Sequence, residues 1–437
     1  MPLGAVQTGD PVTTLTPAPP KAPPSPQSLR IVILSYRSTP HVGGQGVYVD
    51  YVSRALVDLG HKVDVISGPP YPELDARVNL IQLPSLDLYA QPHNGHFSLR
   101  WKHLLSPTDT YEYFGHLAGR FVEPFTFGQR AYAYLKSHRN DYDVVLDNQT
   151  LSHGTSRIEH DLKIPMVTVI HHPITADRRL ALEAAPDWKH RWLIRQWYGF
   201  HKMQIKVAQK AGQIVCPSLS TKNNVVEEFE VDQNKICPIR LGVDRTIFKP
   251  ASQLTRRSNR LITTASADVP LKGLPYLIHA YNMLLKQHPD LELVVIGKLR
   301  DGPAKDLINE LELNDRIEFK SGLTRAELAR EFQTATLAIT PSLYEGFGLP
   351  AAEAMSCGTA VVVTDGGSLP EVAGNAGVVV PRADAQALAI EIDDILVSPD
   401  RRTELETACL KRAETHFDWS TIAPLYIEQF ERAIAKC

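Results

Sequence analysis

The chain has 437 residues, enough for two domains that each bury a full hydrophobic core. Its 46 basic and 49 acidic residues leave it near neutral, which gives no support to a general nucleic-acid binder. Five cysteines (Cys216, Cys237, Cys357, Cys409 and Cys437) are scattered without metal-ligand spacing, and no apolar run reaches the roughly 18–20 residues a bilayer crossing needs. A reducing cytoplasm is the expected setting, and any membrane association would be peripheral.

Residues 1–28 are rich in Pro, Thr and Ala, lack apolar content and read as a flexible tail. Ile31-Val-Ile-Leu34 is a strand, followed by the turn Pro40-His-Val-Gly43-Gly44. A helix with Val52, Ala55, Leu56 and Leu59 on one face comes next, then the strand Lys62-Val-Asp-Val-Ile66. This βαβ unit carries paired glycines at the carboxyl end of its first strand, where open α/β sheets bind ligands. From Leu83 to Arg130 periodicity is poor and aromatic and His residues are frequent, among them Tyr89, His93, His96, Phe97 and Trp101. A stretch this long without regular pattern is expected either to shape a binding pocket or to pack as an insertion.

A helix around Phe127–Lys136 leads to the strand Asp143-Val-Val-Leu146, which ends at Asp147-Asn148-Gln149. The strand Met166-Val-Thr-Val-Ile170 runs into His171-His172-Pro173. A His at a strand end can donate a hydrogen bond or move a proton; it can also be structural, and which of the pair faces a cleft is open. Trp188 to Lys210 carries six basic residues, no acid and Trp188, Trp192 and Trp197. It reads either as an interfacial amphipathic helix or as a domain helix that buries its tryptophans. After the strand Gln213-Ile-Val-Cys216, the polar run Ser252–Asn259 reads as a linker.

The second half opens with Leu261-Ile-Thr-Thr264 and Lys272-Gly273, and Leu293-Val-Val-Ile296 and Arg316-Ile-Glu-Phe319 continue the strand–helix alternation. The stretch that organises the chain follows: Leu337-Ala-Ile-Thr340 as a buried strand, then Ser342-Leu-Tyr-Glu345-Gly-Phe-Gly-Leu-Pro350-Ala-Ala-Glu353. Pro350 sets a helix start, Gly346 and Gly348 let backbone approach a ligand, and free N–H groups at the helix start favour a phosphate. Glu345 is placed in the loop and Glu353 in the helix's first turn.

Seven residues separate the two carboxylates, and the segment continues to Asp365-Gly-Gly-Ser-Leu-Pro370-Glu371. This resembles the Glu-x7-Glu signature and Gly-Gly-x-x-Glu turn of retaining glycosyltransferases of family 4, over about Leu29 to Ala435. The resemblance implies an α/β GT-B fold, two doubly wound Rossmann-like domains facing across a cleft. It implies an N-terminal acceptor domain over 29–245, a nucleotide-sugar domain over 246–416 and a terminal helix, 417–437, that crosses back. It implies His171, Lys272 and Glu345 as catalytic and Gly43, Gly44, Lys272, Glu345, Gly346, Phe347, Gly348, Leu349 and Glu353 as donor-binding, with Glu345 on the sugar and Glu353 on the ribose.

The chain departs from the family in places. Asn148 stands where many members carry a His, Arg240 and Leu241 replace a Pro-Asn pair, and the Arg that partners Lys272 falls on Ser266 or Ala267. Arg240 or Arg300 is the available replacement. No Asp-x-Asp sits where it would hold a metal, so a metal-independent reaction with no cofactor beyond the nucleotide-sugar substrate is expected. If the Trp188–Lys210 segment meets a membrane, the acceptor is a lipid or lipid-linked glycan, and the enzyme works at the membrane's inner face. A sugar-nucleotide epimerase of the same architecture and a glycan-binding pseudoenzyme are the rival readings. A Rossmann dehydrogenase is disfavoured because no Gly-x-Gly-x-x-Gly follows the first strand.

Overall fold

The computed structural model describes residues 28–38, 44–89, 101–183, 185–251, 253–265 and 269–437. The Pro-rich tail up to Gln27, Gly43, the His93–Phe97 cluster, Ser252 and the Ser266–Ala267 position lie outside them.

Among the described residues, short β-branched runs bounded by Gly and polar turns form thirteen strands in two all-parallel sheets. The first contains β1 (Arg30–Ser35), β2 (Lys62–Ser67), β3 (Asn79–Gln82), β4 (Val144–Asn148), β5 (Met166–Val169), β6 (Ile214–Cys216) and β7 (Ile236–Pro238). Its order is β3-β2-β1-β4-β5-β6-β7. The second contains β8 (Arg260–Thr264), β9 (Glu292–Ile296), β10 (Ile317–Lys320), β11 (Leu337–Thr340), β12 (Ala360–Thr364) and β13 (Val378–Val380), in the order β10-β9-β8-β11-β12-β13. Each sheet reverses its winding once, between β1 and β4 and between β8 and β11. These are the switch points at which doubly wound sheets open a crevice at their carboxyl ends. Central strands such as β4 and β12 are buried along their whole length, as helices covering both faces require.

The helix Trp419–Lys436 returns from the second sheet to pack on the helix Gly44–Asp58 and on β4 and β5. The Val243 amide donates to the carbonyl of Phe417 at 2.8 Å, and Trp419, Tyr426 and Tyr48 form one aromatic cluster. Burial of this helix joins both sheets in a single apolar cluster running from Ile31 to Ala433.

Two expectations are corrected. The Leu83–Arg130 stretch contains a helix, Pro107–Leu117, and the next helix begins at Glu123 rather than near Phe127. Ser106 caps the first one and Pro107 opens it. Apolar periodicity misses it because Glu112 and Gly115 are its buried residues, with Glu112 paired to Arg130 at 2.5 Å. The basic segment is likewise broken, into Trp188–Trp197, a single turn at Tyr198–Phe200, and His201–Lys210.

Candidate active site

The β11 loop turns directly into the helix Leu349–Ser356, with Gly348 as N-cap at a φ of +94° that an L side chain rarely adopts. Among the described residues, no backbone carbonyl accepts from the N–H groups of Gly346, Phe347, Gly348 or Leu349. They form a donor cluster at a helix start, suited to an anion. Gly346 lies against the end of β5: a Cβ there would stand 2.2 Å from the carbonyl oxygen of His171. Glycine at this position therefore lets the two halves of the cleft touch.

Lys272 ends the turn Pro270–Lys272 after β8. Its Nζ donates to Glu345 Oε1 at 2.7 Å, and the hydroxyl of Ser342 donates to the same oxygen at 2.8 Å. The second carboxylate oxygen is left for other donors. The Glu345 carbonyl is held from below, accepting from both the amide and the hydroxyl of Ser368 at 3.0 Å. Ser342 and Ser368 were not among the expected site residues; the Gly366-Gly367 pair of the sequence marks the turn that carries Ser368.

Glu353 lies in the second turn of its helix, not the first, because the helix begins at Leu349. It is buried, and that burial raises its pKa to about 8 against the opposing pull of Arg325. Tyr51, on the first sheet's Gly44–Asp58 helix, feels the Glu353 charge, and its ring lies 4.3 Å beneath the Arg325 guanidinium. The hydroxyl of Tyr51 and Nη1 of Arg325 are both buried, and the Tyr51 hydroxyl interacts with the Arg325 side chain.

At the end of β5, His171 Nε2 is hydrogen-bonded to Asn148 Oδ1 at 2.7 Å, and its ring meets Tyr48 edge-on at 4.7 Å. Burial lowers its pKa to about 3, with His172 adding a smaller push in the same direction, so the ring is neutral at ordinary pH. His172 Nε2 pairs with Asp177 at 2.9 Å. The backbone between them faces Gly346, which is how this strand end meets the loop after β11. Asn148, in the place where many family members carry a His, holds the His171 ring through its Oδ1. Gly44 is exposed, with open space where a side chain would be, at the first position of its helix.

The two sheets are also joined by hydrogen bonds. The Glu371 carboxylate accepts from the backbone amides of Leu219 and Ser220 at 2.9 and 2.7 Å, at the start of the helix Leu219–Phe229. The hydroxyls of Ser218 and Thr221 donate to the Gly346 carbonyl at 2.9 and 3.0 Å. Arg240, one candidate for the missing cation, is half-buried and feels the charge of Glu371, while Arg412 feels that of Arg240. Burial lowers the pKa of both arginines.

The tryptophans of the basic segment are not buried: Trp188 is 73% and Trp192 51% exposed; Trp101, outside that segment, is 77% exposed. Trp197 anchors the segment, stacking on Phe121 at 5.2 Å. No helix of the described residues is long and apolar enough to cross a membrane.

Comparisons with known proteins agree with this architecture. The family model described as Glycosyltransferase Family 4 matches residues 42–246, and the one described as Glycosyl transferases group 1 matches residues 246–412. The chain is 41% identical over 413 residues to an MMP alpha-(1->4)-mannosyltransferase of Mycolicibacterium hassiacum, across 93% of this chain and 99% of that protein. Among solved structures it resembles sucrose-phosphate synthase of Thermosynechococcus elongatus (TM-score 0.70, 20% identity, 93% of this chain and 100% of that one). It also resembles Anabaena Alr3699/HepE in complex with UDP and glucose (TM-score 0.66, 16% identity, 92% and 99%).

Proposed function

The chain belongs to the family 4 glycosyltransferases of GT-B fold, and from that premise we propose that it transfers a hexosyl group, with retention, from a nucleotide-sugar donor to a hydroxyl acceptor. The observation that carries this reading is the pairing of Lys272 with Glu345 beside the open N–H groups of Gly346–Leu349. Lys272 and those N–H groups take up the charge of the departing nucleoside diphosphate, and donors fixed in advance are what such charge requires. Glu345, with one oxygen held by Lys272 and Ser342, turns the other to the sugar hydroxyls. The acceptor oxygen enters on the face the leaving group vacates and passes its proton to the departing phosphate oxygen as the anomeric C–O bond to that phosphate breaks, so the anomeric configuration is kept. No residue of the set serves as a covalent nucleophile or holds a metal. His171, neutral and with its Nε2–H donated to Asn148 Oδ1, has only Nδ1 left and accepts a hydrogen bond at the sugar's edge without carrying charge.

The mannosyltransferase relative at 41% identity supports mannose as the hexose and a saccharide hydroxyl as the acceptor. The neighbour in complex with UDP and glucose supports a nucleotide-linked donor. The test is nucleotide release from GDP-, UDP- and ADP-hexoses with and without mannose-containing oligosaccharides. Acceptor-dependent release that vanishes in Glu345→Ala supports transfer. Donor turnover independent of any acceptor would point to epimerisation or hydrolysis.

A second reading, a lipid-linked acceptor, is favoured by the exposed Trp101, Trp188 and Trp192 beside Lys189, Arg191 and Arg195. Co-sedimentation with anionic vesicles that is lost in Trp188→Ser/Trp192→Ser would support it; no sedimentation of the wild type would remove it.

A further inference from the structure

Tyr36 and Arg37 follow β1 directly, and Glu123 opens the helix Glu123–Ser137. One oxygen of the Glu123 carboxyl, Oε2, lies 3.4 Å from Nη1 of Arg37. The other, Oε1, is buried without a hydrogen-bond partner among the described residues, on a residue only 4% exposed. A buried carboxyl oxygen left open is costly, and a ligand that brings its own polar group accounts for it. Tyr36 and Tyr89 both feel the Glu123 charge, so the carboxyl lies near aromatic rings. The aromatic wall continues outward: Phe121 meets Tyr36 edge-on at 6.2 Å and Tyr89 at 5.2 Å, and stacks on Trp197 at 5.2 Å.

This constellation joins the reacting centre through a short chain of contacts. Asn148, which holds His171, also donates through Nδ2 to the Ser35 hydroxyl at 3.2 Å, and Ser35 directly precedes Tyr36. A molecule whose reacting hydroxyl lies by His171 has this wall beside its next unit.

We infer that Tyr36, Arg37, Phe121 and Glu123 hold a non-reacting sugar residue of the acceptor, and that the acceptor is an uncharged oligosaccharide. The inference rests on the transferase reading above and deepens it by naming the acceptor class. A sugar ring presents hydroxyls that both donate and accept beside a C–H face that packs on an aromatic ring. Glu123 Oε1 takes one hydroxyl, and the guanidinium N–H groups of Arg37 not engaged by Glu123 take the neighbouring one. Trp197 extends the wall for a further residue. Burial raises the Glu123 pKa to about 8 against the pull of Arg37, with Glu112 and Asp87 adding a smaller push upward. The surroundings already resist one negative charge there, and a phosphorylated sugar would bring a second beside it.

The test is steady-state transfer by the full chain, from whichever nucleotide-mannose it turns over, to methyl mannoside, mannotriose and a mannotriose phosphorylated on a non-reacting residue. Mannotriose is expected to exceed methyl mannoside about tenfold in kcat/KM, the worth of one hydrogen bond to a charged group such as Arg37. The phosphorylated form is expected to fall below mannotriose. In Glu123→Ala the preference for mannotriose over the mannoside shrinks, and the phosphorylated form gains on the neutral one because Arg37 is released to the phosphate. Glu123→Gln, which keeps a hydrogen-bonding oxygen in place, restores most of the length preference. If Glu123→Ala does not fold, the wild-type comparison and Phe121→Leu, which should lower the same ratio, decide the question. A Glu123 that only supports the fold would lower all three acceptors alike and leave their ratios fixed, which would overturn the inference. Equal use of mannoside and mannotriose by the wild type, or a preference for the phosphorylated form, would also overturn it, while acceptor-dependent nucleotide release that requires Lys272 kept the transferase reading standing. Nucleotide release that no acceptor stimulates would remove that reading and the acceptor assignment with it.

Discussion

The ammonium of Lys272 and the carboxylate of Glu345 meet at 2.7 Å, although one follows β8 and the other β11. Those strands are neighbours at the switch point of the second sheet, so the pairing is a product of topology as much as of side-chain choice. In the proposed reaction the donor shares Lys272 with Glu345, the phosphate taking the ammonium's remaining hydrogens and the sugar the free carboxylate oxygen.

Lys272→Ala and Glu345→Gln are each expected to lower kcat/KM by roughly 10²–10³, the usual loss when one preorganised charge or donor is removed. Because the two touch, the double variant should lose less than the product of the single effects. Ser342→Ala removes one of two donors on Glu345 Oε1 and should cost about tenfold in kcat with little change in Tm. Steady-state kinetics and a thermal melt check all four.

The glycines of the donor loop separate two kinds of damage. Gly348→Ala forces a side chain into a left-handed conformation and should destabilise by about 1–2 kcal/mol. Gly346→Ala sets a Cβ against the His171 carbonyl, which must move apart the β5 end and the donor loop. Loss of turnover should there exceed the loss of stability, as measured by kcat against denaturant midpoint.

Glu353 gives the stability curve a sign. Burial raises its pKa from 4.5 to about 8, so the folded chain holds a proton that the unfolded chain releases. Below about 4.5 both states are protonated and the fold carries no penalty. As pH rises toward 8 the penalty grows, and above 8 it is complete. Glu353→Gln should therefore gain stability relative to the wild type at pH 8.5 and show little difference at pH 4.5, read as denaturant midpoints. Glu123, raised likewise to about 8 by burial, is present in both proteins and cancels from the difference.

Glu371 caps a helix that belongs to the other sheet. Glu371→Ala leaves two amides at the start of Leu219–Phe229 without their acceptor and should cost about 1–2 kcal/mol, the usual effect of losing a helix cap. A larger radius of gyration by small-angle scattering, with unchanged helix content, would show that the cap also holds the cleft closed.

Much of this was legible in the sequence. The strand runs at Ile31, Val144, Leu293 and Leu337 and the Pro350 helix start are local signals, and the structure carries them with boundaries shifted by a residue or two. Lys272 and Glu345 could be named from their motif, but their contact could not, because it depends on β8 and β11 being adjacent. The helix Pro107–Leu117 escaped because it buries Glu112 on Arg130 instead of an apolar stripe. The tryptophans of 188–197 were ambiguous for a related reason: periodicity shows which residues share a face, not what covers it. Arg325 and Tyr51 carried no motif at all, and they meet only because the two sheets face each other.

The most direct test is an NMR time course of turnover of an α-linked nucleotide-mannose, taken from the GDP, UDP and ADP series by its nucleotide release, with an oligosaccharide acceptor and run beside Lys272→Ala. The account predicts an α-linked product from the first turnovers, formed only when acceptor is present, and loss of nucleotide release in the variant. A β-linked first product, or release that continues undiminished without Lys272, would contradict it.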